Sequence, residues 1–354
     1  MDDADRLVQA IAQYKGAPIK LMEVCGTHTH NIFHFGIPAL FPPNITLISG
    51  PGCPVCVTPA GYIARACRFS LEPDTTVCSF GDMLRVPGNG TSLLHAKASG
   101  GSVAMIYSPM DVIPMALKEP SQTFVLAAVG FETTLPIYAL LVKHLREKKI
   151  ENVRLFLSVK SILPAIAWIC RNQPDIGGFI GPGHASAVIG SKAYEPLCAA
   201  YGIPMAIAGF GYEQILAAVY DLIIQIGQKR HEVHNLYPDV VSAQGNVTAL
   251  ALIERYFSRK SSVWRGLGSI PESGFSLRSD YECYDAGLFD ESADLSEIQG
   301  GCLCGKIITG RASPADCPMF GNACTPSSPI GPCMVSSEGT CGIWYSNRSA
   351  AHAV

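Results

Sequence analysis

Over roughly its first 230 residues the chain alternates short, almost wholly apolar runs with segments of helical period, and nothing else in it limits the fold so tightly. Candidate strands lie at Lys20–Val24, Ile45–Ser49, Thr76–Phe80, Val103–Tyr107, Phe124–Val129, Val153–Ser158, Gly177–Ile180 and Ile203–Ala208. Several of these runs are near-continuously apolar, as in strands buried on both faces of a parallel sheet. Helical patterns follow several of them, at Thr134–Lys149, Ile162–Arg171 and Glu213–Gln228. Alternation of this kind predicts α/β layers. Glycine-rich turns end the strands, among them Gly50-Pro51-Gly52, Gly130-Phe131-Glu132, Gly181-Pro182-Gly183 and Gly209-Phe210-Gly211. In open α/β sheets the carboxyl ends of the strands are where ligands bind. The repeated Gly-Pro-Gly hints at two similar α/β halves.

Beyond Lys229 the texture changes. Val240–Phe257 reads as one helix, and after Ser258 the chain is rich in Gly, Ser, Pro and Cys with no long periodic segment. A small, loop-rich domain is expected there, held by something other than an apolar core. The expected division is an α/β domain over 1–120, a second over 121–230 and a C-terminal domain over 231–354.

Composition excludes several classes. With 48% hydrophobic and 16% charged residues the chain is no disordered solvating segment. A net charge of −3 gives no global basic field for nucleic acid or an anionic membrane. The start, MDDADRLVQA, is acidic without an apolar core, and no apolar run reaches the roughly 18 residues of a membrane helix. A cytoplasmic protein is expected.

Cysteine is the anomaly. There are 14, and Cys302, Cys304, Cys317, Cys324, Cys333 and Cys341 crowd into one stretch that contains no histidine. In a reducing compartment such clusters bind metal or do redox chemistry. The stretch has no C-x₂-C knuckle of the zinc-ribbon kind. Irregular spacing beside Pro and Gly suits loops around an iron–sulfur cluster, which takes four thiolates; structural zinc or buried free thiols are the plainer alternatives. Two further segments carry thiols. In MEVCGTHTHNIFHFG, a strand runs into Cys25 with His28 three residues on, a pattern that fits a metal ligand, an activated nucleophile or a structural cysteine. In SGPGCPVCVTP, Cys53 and Cys56 have dithiol spacing. Glu132 follows a strand, and Thr133 and Thr134 after it are placed to cap a helix. Cys67, Cys78, Cys170, Cys198 and Cys283 read as buried apolar fillers.

The segments CGTHTHNIFHFG, GPGCPVC, GFETT, GPGHAS and CPMFGNACTPSSPIGPCMVSSEGTC, in that order from about Met22 to Tyr345, resemble the HypD family of [NiFe]-hydrogenase maturation factors. The resemblance implies two Rossmann-like α/β domains and a C-terminal domain carrying a [4Fe–4S] cluster. It implies a scaffold that assembles Fe(CN)₂CO with a small HypC-type partner. A HypE-type protein supplies the cyanide, and the finished unit goes to the hydrogenase large subunit. The family's spacing C-x₁₄-C-x₆-C-x₁₆-C fits Cys302, Cys317, Cys324 and Cys341 as cluster ligands. Cys304 and Cys333 then match a redox-active pair beside the cluster, Cys53 and Cys56 the family's C-x-x-C thiols, and Cys25 its iron ligand. His28 and Glu132 fall in its active-site motifs. Soft thiolate donors suit low-spin iron that carries CO and cyanide. The competing expectation is a cluster-dependent thiol–disulfide oxidoreductase acting on a protein substrate, and a third is a zinc-stabilised interaction protein.

Overall fold

Each apolar run expected to be a strand forms one in the computed structural model, which describes residues 3–289 and 301–347. In chain order these are β1 (Ile19–Glu23), β2 (Ile45–Ser49), β3 (Thr75–Ser79), β4 (Val103–Met105), β5 (Thr123–Gly130), β6 (Val153–Val159), β7 (Ile176–Pro182) and β8 (Met205–Ala208). Three more follow: β9 (Val233–Asn235), β10 (Phe257–Trp264) and β11 (Gly268–Leu277). The expected helices are present as Leu135–Glu147, Ile162–Asn172 and Tyr212–Gly227.

The strands build two parallel sheets with helices packed on them, an α/β fold of two Rossmann-like units. One sheet has the order β2-β1-β7-β8-β9, the other β4-β3-β5-β6. Most of their strands, though not β2, β4 and β9 at the edges, bury nearly every residue: β5 is buried at every position but its first. That is why the runs carry no polar alternation.

The first sheet draws on two separate stretches of chain. β1 pairs with β2 on one side and with β7 on the other, and the whole second sheet is strung between them. The boundary expected at residues 120/121 therefore passes between β4 and β5, two strands of one sheet. The Gly-Pro-Gly repeat does not mark two halves either. Gly50–Gly52 follows β2 and Gly181–Gly183 closes β7, so both flank β1 in a single sheet.

The helix expected over Val240–Phe257 begins only at Val247, because the Asn246 side chain accepts the Ala249 N–H at 3.0 Å and caps it there. After it comes an antiparallel hairpin, β10–β11, where no periodic element was expected. The hairpin packs against the end of β6. The wholly buried Lys160 donates to Val263 O at 2.8 Å and to Ser262 Oγ at 2.5 Å. Cys67, Cys78, Cys170 and Cys198 are buried as expected, but Cys283 is exposed, in the 3₁₀ turn Ser279–Tyr284.

Candidate functional site

Beyond residue 301 the chain folds as short helical turns joined by loops: Cys304–Ile307, Pro314–Asp316, Pro332–Met334 and Thr340–Ser346. Prolines with fixed φ open two of them. This winding brings all six C-terminal cysteines to one pocket, which Phe320, Gly331 and Met334 complete. Cys302 is partly exposed and the other five are buried. The Sγ atoms of Cys304 and Cys333 are 2.9 Å apart. Cys302 hydrogen-bonds Cys304 and Cys317, and Cys333 hydrogen-bonds Cys341. Gly331 is the floor of the pocket. A Cβ there would stand 3.0 Å from Cys302 Sγ and 3.3 Å from Cys304 Cβ, so the sulfurs rest on bare backbone.

The C-x-x-C loop reaches the same place. It leaves β2 through Gly50, whose N–H donates to Glu23 O at 2.7 Å, and turns so that Cys56 N–H meets Cys53 Sγ at 3.3 Å. The Cys56 side chain hydrogen-bonds Cys333. Cys53, Cys56 and the C-terminal thiols thus lie in one continuous core with Val24, Phe131, Tyr194 and Trp264. Two arginines hold these segments in place. Arg265, on the hairpin turn, donates from Nε to Thr58 O at 2.8 Å, and Arg85 donates to Val335 O at 3.2 Å.

Cys25 sits just past the carboxyl end of β1, as the N-cap of the helix Gly26–His34. The C-x-x-C loop lies directly over it. A Cβ on Gly52 would fall 2.4 Å from Cys25 N, so only glycine permits this approach. Two carboxylates border the thiol. Glu23 accepts the Cys25 N–H at 2.8 Å and is hydrogen-bonded by Thr29, and Glu338 accepts from Thr27 Oγ1 at 3.2 Å while its Cβ abuts Gly26. Burial, then the Glu23 charge, push the Cys25 thiol up to about 12. Burial likewise raises Glu23 to about 7, against the pull of its hydrogen bonds.

His28 ties this helix to the loop after β8. Its Nε2–H donates to Gly209 O at 2.9 Å, and its ring lies 4.7 Å from that of Phe210, which also touches His184. Burial lowers it to about 4, so at neutral pH it carries no charge with which to lower a thiol pKa. Glu132, buried at the end of β5, accepts from Ser161 Oγ at 2.7 Å and from Ile162 N–H at 2.9 Å, both on Oε1. Thr134 occupies the N-cap position of its helix, yet its hydroxyl donates backward to Phe131 O at 3.0 Å.

Among the described residues, no three His, Cys, Asp or Glu side chains converge to hold one metal ion. An iron–sulfur cluster makes a different demand, since each of its four irons takes one thiolate and the sulfurs stand apart around the cube. The pocket meets that demand in donor type: six sulfurs, no nitrogen or oxygen ligand, and a glycine floor. Two of its thiols, Cys302 and Cys324, are also costly to ionise alone. The hydrogen bond that Cys302 donates to Cys304, then burial, raise Cys302, and burial raises Cys324. Deprotonation there requires a compensating cation, which iron would provide if bound.

Several site residues escaped the sequence reading. Glu23 had a usable signal, a carboxylate inside an otherwise apolar strand, where an acid is expensive unless hydrogen-bonded. Glu338, Ser161 and Arg259 had none, because their partners are distant in the chain.

A family model, HypD, described as the hydrogenase formation hypA family, matches residues 2–348. The hydrogenase maturation factor HypD of Azotobacter vinelandii is 42% identical over 345 residues, 95% of this chain and 91% of that protein. HypD of Escherichia coli K12 is 40% identical over 335 residues, 94% of this chain and 90% of its own length. HypD of Rhodobacter capsulatus is 38% identical over 356 residues, covering 98% and 94%.

Proposed function

The chain belongs to the HypD family of hydrogenase formation proteins, and we propose that its part in hydrogenase maturation is to be the scaffold on which Fe(CN)₂CO is assembled. Cys302, Cys317, Cys324 and Cys341 hold a [4Fe–4S] cluster. Cys304 and Cys333 are a dithiol beside it, Cys53 and Cys56 a second dithiol, and Cys25 is the ligand of the cargo iron. A small HypC-type partner shares that cargo, a HypE-type protein supplies cyanide, and the hydrogenase large subunit receives the product.

The observation that carries this reading is the contact of Cys56 with Cys333. It joins sulfur chemistry at the carboxyl edge of the first sheet to the C-terminal pocket. A bound cluster supplies electrons one at a time, whereas a dithiol exchanges them in pairs. The chain's own residues do the rest. Gly52 lets the C-x-x-C loop lie against the Cys25 backbone, Arg265 and Arg85 fix the loops, and Glu338 closes the C-terminal segment over Gly26. The burial that excludes water here protects thiols and a carbonyl-bearing iron alike. The oxidoreductase alternative has no use for Cys25, which stands on its own loop between two carboxylates.

Infrared spectroscopy of the anaerobically purified full chain, together with a HypC-type partner, tests the scaffold. Cyanide and carbonyl stretching bands with iron and sulfide in the protein are expected. Zinc in place of iron and sulfide, or a cluster-bearing complex without those bands, overturns it.

A further inference from the structure

Glu132 is 1% exposed, and its two carboxylate oxygens are treated very differently. Oε1 accepts twice, from Ser161 Oγ and Ile162 N–H. Oε2 is buried with no hydrogen-bond partner. Ser161 has a single hydroxyl hydrogen, which goes to Glu132, and its oxygen accepts from Arg259 NH1 at 2.9 Å. The chain of donors therefore has one direction: Arg259 to Ser161 to Glu132 Oε1.

We propose that Arg259, acting through Ser161, is a positioning residue that saturates Oε1 of Glu132 and so places the carboxyl proton on Oε2, making Glu132 a neutral hydrogen-bond donor through its unpartnered oxygen. A carboxyl oxygen that already accepts two hydrogen bonds is the poorer site for the proton. The bare oxygen, lacking any donor to stabilise negative charge, is the better one. The groups around it set the balance. Burial pushes the Glu132 acid up, and Ser161, Ile162 N–H and the Arg259 charge pull it down. Lys160, next to Ser161, turns its amine away to Ser262 and Val263. Tyr194, buried and hydrogen-bonded to Ser186, feels the charges of both Glu132 and Cys25. A neutral acid fits a cargo of cyanide-bearing iron, because a coordinated cyanide presents its nitrogen as an acceptor and an ionised carboxylate would repel it. This last step rests on the scaffold reading; the proton's position does not.

Difference infrared spectroscopy of the full chain, titrated with acid and base, reads the carboxyl directly. A protonated-carboxyl band present near neutral pH and absent in Glu132→Gln is expected. Arg259→Gln removes the attraction of a nearby cation, so the band's titration midpoint rises, and Arg259→Lys restores part of the shift. Ser161→Ala returns a lone pair to Oε1 and shifts the band's frequency. A band unaffected by Glu132→Gln, or a midpoint indifferent to Arg259→Gln, overturns the proposal. In cargo-loaded protein with its HypC-type partner, Glu132→Gln shifts a cyanide stretch; unmoved cyanide bands remove the donor role toward cargo. Absence of cyanide bands in the unaltered protein would instead count against the scaffold, with the carboxyl titration still readable.

Discussion

Cys333 stands 2.9 Å from Cys304, sulfur to sulfur, and the same side chain hydrogen-bonds Cys56. It is the meeting point of two parts of the chain that the sequence presents separately. A two-electron oxidation at Cys304–Cys333 would be felt at once by the C-x-x-C loop.

Oxidised protein is therefore expected to carry a Cys304–Cys333 bond, found by mass spectrometry of proteolytic peptides. Replacing both by Ser leaves iron and sulfide in place and stops maturation. Both thiols free after oxidation would remove the pair from any redox role.

Cys317→Ser or Cys324→Ser is expected to lose the charge-transfer absorbance of a four-thiolate cluster and to loosen the C-terminal segment, since no apolar core of its own replaces the metal. Iron and sulfide analysis with protease sensitivity checks this. Full retention of both would exclude that residue as a ligand.

Cys25→Ala is expected to keep the cluster absorbance while abolishing cyanide and carbonyl bands in the complex with a HypC-type partner. Undiminished bands would make Cys25 structural and move the cargo elsewhere.

Gly52→Ala puts a methyl carbon 2.4 Å from Cys25 N and 2.6 Å from Cys25 Cα. These are backbone atoms and cannot swing aside. A loss of about 1–3 kcal/mol is expected, the scale of forced overpacking. Thermal unfolding measures it, and faster alkylation of Cys25 reports the displaced loop. An unchanged melting curve would contradict the contact.

His234 gives a pH signature away from the site. Burial opposes its charge, but Asp221 at 2.6 Å and Glu232 at 3.1 Å outweigh that and raise it. A raised value in the folded state means the ion pairs contribute fully below the unfolded value of about 6.5. The contribution fades as pH climbs through the folded value. The site is partly exposed, so the effect is small and salt-sensitive. His234→Gln should flatten the fall in stability above neutral pH; an unchanged slope would assign it elsewhere.

Strands were legible because burial on both faces leaves an unmistakable apolar run, as in Phe124–Val129. Their pairing was not, since nothing in the residues of β1 says that β7 is its neighbour. The hairpin β10–β11 was hidden for a different reason. Ser258, Lys260 and Ser262 look like loop, and become strand by pairing with β11, a hairpin that Lys160 and Ser161, just past β6, brace through Ser262 and Ser273. The C-terminal thiols were legible as a cluster of donors. The Gly209 partner of the His28 ring was not legible, because it lies far along the chain.

The stringing of one sheet between two parts of another has a consequence for how this protein comes into being. A ribosome delivers β1 and β2 early, yet a parallel pair that lacks β7 has too little to hold it. The second sheet must emerge and fold first, and the first sheet can close only after residue 182 has been made. Contacts of such high sequence separation are slow to form. The six clustered thiols are synthesised after both sheets. Any iron those thiols held would therefore meet a frame already standing, and a chain truncated before residue 301 should assemble both sheets while leaving the Cys53–Cys56 loop without the surface it packs on.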